Sequence, residues 1–152
     1  MAISNVKLVK PSSVKTTTYW FKKASTAFNY RSLVVADEDE TATAGTYDVA
    51  TASTERTLGA VQTETTSTSS DYTSATVRKP ILSDPLGEWE MPVGTGTADA
   101  NDAGGFIDLK DTDELDVTAS TIDAFFVSRF ISATKLRGYI VRWHFNEAPA
   151  TN

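Results

Sequence analysis

His144 is the only histidine in the chain of 152 residues, and there is no cysteine. A catalytic imidazole needs a nucleophile and an orienting partner within hydrogen-bond reach. Neither a Gly-x-Ser-x-Gly elbow nor a His-Glu-x-x-His pair occurs to supply them. One histidine without a thiolate is too small a donor set for a nitrogen- or sulfur-ligated metal centre, so His144 reads as a surface or structural residue. Carboxylates cluster at Asp99, Asp102, Asp108, Asp111, Asp113, Glu114 and Asp116, the oxygen ligands that Ca²⁺ takes. The calcium-loop template starts well with Asp99, Asn101 and Gly104. It then fails at Ala103 and at Lys110, where an oxygen ligand and a Glu are required. A solvated acidic loop is the plainer reading, and a glycosidase carboxylate pair has less support still. Gly94, Gly96, Gly104 and Gly105 lead into no helix and read as turn residues, not as a phosphate cradle. Trp20, Trp89 and Trp143 suit either a sugar platform or core and interface anchors. The residues assign no catalytic group, no metal ligand and no cofactor.

The elements that would position any site are short and period-2. One domain is expected at this length, and 40% hydrophobic residues suffice for a core. Ser and Thr make up roughly a quarter of the chain, well above ordinary usage, and Thr suits a pleated, half-exposed surface. A net charge of −6 with no basic run longer than a pair argues against direct nucleic-acid binding. No apolar run is long enough to span a bilayer as a helix. The opening Met-Ala-Ile-Ser-Asn-Val-Lys-Leu-Val-Lys-Pro lacks an apolar signal core, so synthesis in a cytoplasm is expected.

Residues 1–15, with Val6, Leu8 and Val9 as apolar contacts among lysines, read either as a frayed terminus or as an extended arm that pairs with a neighbouring subunit's sheet edge. A strand is predicted over 16–23, with Thr16, Thr18, Trp20 and Lys22 on one face and Thr17, Tyr19, Phe21 and Lys23 on the other. Further strands are predicted over 28–36, 45–50, 57–61, 73–82, 88–93, 105–109, 124–131 and 135–145, with Pro80 placing 73–82 at an edge or a bend. The acidic run 37–40 reads as a solvated loop and 62–70 as a long exposed loop or hairpin tip. Residues 112–116 and 131–136 could each make a turn of helix, and no longer helical period exists. The expected organisation is an arm at 1–15, a single β-domain at 16–147 and a tail at 148–152. The expected fold is all-β, a compact barrel or sandwich of short antiparallel strands.

The segments Gly-Glu-Trp-Glu-Met-Pro-Val-Gly-Thr-Gly (87–96), Asp-Ala-Gly-Gly-Phe-Ile-Asp-Leu (102–109), Asp-Glu-Leu-Asp-Val-Thr-Ala-Ser-Thr-Ile-Asp-Ala-Phe-Phe-Val (113–127) and Phe-Ile-Ser-Ala-Thr-Lys-Leu-Arg-Gly-Tyr-Ile-Val (130–141) follow one another. Together they resemble the small head decoration, or capsid cement, proteins of tailed bacteriophages. Leu-Gly-Ala-Val-Gln at 58–62 extends the likeness, and the N-terminal third does not share it. These are turn and core signatures, not a catalytic fingerprint. The resemblance implies a β-barrel on the outside of a virion that binds the major capsid protein lattice, stabilises the head and self-associates as a trimer or dimer. Val6, Leu8, Val9, Tyr19, Trp20 and Phe21 are the candidate capsid or subunit contacts. Other non-enzymatic virion β-domains, from head completion, tail or fibre, are the alternative, with a carbohydrate-binding module behind them.

Overall fold

The computed structural model describes residues 5–36, 46–53 and 56–143. His144, the acidic run 37–40 and the tail 148–152 lie outside them. Eleven strands are β1 (Lys7–Lys10), β2 (Thr16–Lys22), β3 (Leu33–Ala36), β4 (Thr46–Val49), β5 (Gly59–Val61), β6 (Arg78–Ser83), β7 (Glu88–Thr95), β8 (Phe106–Leu109), β9 (Leu115–Asp116), β10 (Phe125–Ser132) and β11 (Lys135–Ile140). The only helical turn among the described residues is a 3₁₀ turn at Ala100–Asp102.

The fold is all-β, in two parts that share a core. Strands β2-β4-β3-β5-β6 close into a small barrel, and β1-β7-β11-β10-β8-β9 form a six-stranded sheet. Most pairings are antiparallel, as the turn-rich sequence suggests. β2–β4 and β7–β9 are parallel. Neither parallel partner follows the other directly in the chain, so local turn signals could not announce these pairings. Phe28, Val34, Tyr47, Leu58, Val61 and Ile81 fill the barrel. A larger cluster joins Leu33 and Ala60 of the barrel to Trp89, Met91, Phe125 and Leu136 of the sheet. At the seam, the Leu33 amide donates to the Thr112 carbonyl (2.7 Å) and the Thr112 hydroxyl donates to the Leu33 carbonyl (2.6 Å).

Residues 5–15 do not stand apart from the domain. β1 lies antiparallel along β7 with Lys7 opposite Glu90 and Leu8 opposite Trp89. Val6 is buried in the shared core and Leu8 packs against it. Three apolar residues among lysines, too few for a core of their own, match the edge of a sheet made some eighty positions later. Deleting residues 1–15 is therefore expected to lower the urea midpoint by the equivalent of ~3 kcal/mol or more, from the lost Val6 and Leu8 packing alone. An unchanged midpoint would return these residues to the status of an arm.

Several local expectations shift for physical reasons. The predicted strand over 28–36 is interrupted, because Arg31 adopts a φ of 72° and regular pairing resumes only at Leu33. Residues 112–116 contain β9 and 131–136 turn from β10 into β11, so neither forms a helical turn. Pro80 sits in a strand flanked on both sides, not at an edge. It is tolerated because its carbonyl accepts from the Gln62 amide just past the end of β5. The missing N–H faces the same side, where β5 no longer continues the ladder. The stretch 62–70 is not a loose tip either. Thr65 bridges to Phe28 through paired backbone bonds of 2.9 Å, and Ser69 Oγ accepts from the Thr66 amide.

Candidate functional site

The segments that carry the sequence resemblance meet in the six-stranded sheet. Within Gly-Phe-Ile-Asp-Leu, alternation turns Ile107 and Leu109 into the core and Phe106 outward. Asp108 is the exception to a simple outward polar residue. It is buried, and its carboxylate accepts from three successive backbone amides, Thr121 (3.0 Å), Ile122 (2.9 Å) and Asp123 (2.8 Å). Those amides belong to the Ala-Ser-Thr turn that feeds β10, where Asp123 adopts a φ of 58°. The strand-turn signature is thus one hydrogen-bonded unit. Asp108→Ala would strand three amides, and a stability loss of ~2–3 kcal/mol is expected in urea denaturation. A change below about 0.5 kcal/mol would show that water serves the amides equally well.

On the face of this sheet away from the core, Phe106, Phe126 and Tyr139 stand directly opposite one another across β8, β10 and β11. Next to them the character changes. Glu90 accepts from Arg137 (Nε–Oε1 3.1 Å) with Lys135 at 3.7 Å, and Glu88 accepts from the Ser128 hydroxyl at 3.0 Å. The residues singled out from the sequence do not assemble with this row. Tyr19 is 62% exposed on the barrel wall. Trp20 is half-buried against the barrel core and Phe21 lies under the Arg78 guanidinium at 4.6 Å. Val6 is buried, while Leu8 and Val9 line a groove of about 320 Å³ beside Tyr30, Arg31 and Gln62. The aromatic row was missed, although one signal announced it. In the consecutive pair Phe125-Phe126 of a strand, one ring must face away from a one-sided core.

Trp89 and Trp143 are buried, with ring centroids 5.9 Å apart. They act as core anchors and offer no exposed stacking surface for a sugar.

Asp99 and Asp102, the start of the failed calcium template, are engaged locally. Asp99 caps the 3₁₀ turn by accepting from the Asn101 amide, and Asp102 accepts from the Asp99 amide. Asp111, Asp113 and Glu114 bring carboxylate oxygens within 4.8 Å of one another. Partial burial, then a hydrogen bond that the protonated Asp113 donates to Asp111 and the charges of Asp111 and Glu114, push the Asp113 carboxyl up to about 6, against the opposing pull of Lys110. An acid whose folded value is raised stabilises the fold most fully below its unfolded value, and the contribution fades as pH rises through about 6. Asp113→Asn is therefore expected to raise the melting midpoint at pH 7.5 but not at pH 4. An equal shift at both pH values would refute the linkage. EDTA is expected to leave the melting curve unchanged; a fall on chelation, reversed by Ca²⁺, would make the trio a cation site.

No protein-family model, curated protein or solved structure matches the chain.

Proposed function

We infer that the protein is a capsid decoration protein of a tailed bacteriophage, bound to the outer surface of the major capsid protein lattice and reinforcing the head. One observation carries the reading beyond the sequence likeness. The resembling segments pack as strands β7, β8, β10 and β11 of a single sheet, with Asp108 locking the signature turn between two of them. In this reading the work done is binding, by a chain self-associated as a trimer or dimer, with no direct contact to nucleic acid or membrane.

The test is to add the purified full chain to phage heads depleted of it. Cosedimentation at saturable stoichiometry is expected, together with greater resistance of the heads to heat or osmotic shock. Absence of saturable binding to heads, or absence of the protein from purified particles by mass spectrometry, would refute the assignment.

A further inference from the structure

The outward row of Phe106, Phe126 and Tyr139 forms the floor of a groove of about 440 Å³, with Pro85, Leu86 and Val141 at its margin. Leu86 is 64% exposed, Phe106 47% and Val141 37%. Charged residues make up 22% of the chain, yet among the described residues none lines this groove. We propose that the groove grips an extended, uncharged apolar segment of the shell protein, about three residues of it in contact; the proposal rests on the capsid reading above.

Charge, length and area select that occupant. A charged group buried against this lining would lose its water without gaining a counter-ion, which costs several kcal/mol. The part that enters is therefore apolar. Three neighbouring strands at ~4.8 Å spacing make a row roughly 10 Å long, the reach of about three extended residues. The exposed apolar surface is on the order of 300 Å², well short of the ~800 Å² that each partner contributes to a self-sufficient interface, so the groove suits one contact among several repeated on a lattice and not the sole seam of a dimer. The Phe106 and Phe126 rings are tilted by 59° at 5.2 Å, so they make a notched surface for side chains and not a flat one.

The experiment compares the full-length protein with a Leu86→Ser, Phe106→Thr double variant on the same depleted heads. Both side chains are exposed, and threonine keeps the strand preference of position 106. The wild type is expected to bind and the double variant to bind about thirtyfold or more weakly, with an unchanged melting midpoint and an unchanged mass by light scattering. If the double variant folds poorly, Leu86→Ser alone, in a turn, should still weaken binding severalfold. A variant that binds like wild type overturns the groove assignment and leaves the capsid reading standing. Failure of the wild type itself to bind overturns both. Conversion of an oligomeric wild type to a monomeric variant overturns the proposal in favour of a second copy as the occupant.

Discussion

Gly138→Ala is expected to destabilise the fold severely, through the six-stranded sheet. Gly138 lies on β11 opposite Val127 of β10. A Cβ at this position would fall on the Phe126 carbonyl oxygen and 2.8 Å from the Phe125 ring. Neither can yield cheaply. The carbonyl is backbone within the hairpin, and Phe125 is fully buried in the shared core. Forced overpacking at a main-chain contact belongs to the severe class of substitutions, ~4 kcal/mol or more. For a chain of this size that corresponds to a fall in midpoint of roughly 10 °C or more. Gly104→Ala is the control. Its Cβ would meet nothing within 4 Å, and only its φ of 89° opposes the change, a penalty of ~1–2 kcal/mol. Equal effects of the two substitutions would mean that the β10–β11 contact relaxes more readily than its geometry implies.

The second large effect is expected at Lys22. This lysine is fully buried, and its ammonium group donates to three backbone carbonyls: Ser74 (2.7 Å), Tyr72 (3.0 Å) and Lys23 (3.3 Å). Burial lowers its pKa, Asp71 opposes the shift and Lys79 adds to it. Its three donors are matched by three acceptors, so the charge is held without a carboxylate in direct contact. Asp71 is instead paired to Lys79 at 2.7 Å, pinning the same loop to β6. Lys22→Met preserves most of the volume but strands the carbonyls, and a loss of ~3 kcal/mol in urea denaturation is expected. The change should also raise hydrogen exchange selectively at 69–77, since the ammonium supplies two of the bonds that tie that loop to β2, those to the Tyr72 and Ser74 carbonyls. Uniform loss of protection across both sheets would instead mark Lys22 as a packing residue.

Lys22 also shows why part of the fold escaped a reading of the sequence. Alternation placed it correctly on the face shared with Thr18 and Trp20. Nothing in that pattern says that the barrel interior would accept an ammonium, because two of its three acceptors, the carbonyls of Tyr72 and Ser74, lie some fifty residues away. The C-terminal strands were legible for the opposite reason: their apolar alternation and Gly-, Asp- and Thr-rich turns are local signals, and β7, β8, β10 and β11 follow them closely. The partner of β1, the parallel closure of β2 on β4 and the position of Pro80 between two strands are long-range outcomes. Of the candidate contacts, Tyr19 is exposed and Val6 is buried, a distinction that hydrophobicity alone could not draw. The aromatic row needed the cross-strand register, which puts Phe106, Phe126 and Tyr139 in line from three separate segments.

The chain leaves the six-stranded sheet after β1, builds the whole barrel, and returns to the sheet at β7. The two ends of the excursion are held together: Thr16 pairs with Ser83, and Ser12 donates to the Asp84 carboxylate from both its amide and its hydroxyl. During synthesis, β1 emerges long before the strand it must join, and the intervening segment would ordinarily leave it searching over a wide volume. Closure of the barrel brings the two attachment points side by side and reduces that search to a local docking. The barrel thus serves as a jig for the sheet, setting β1 and β7 beside each other where their pairing begins.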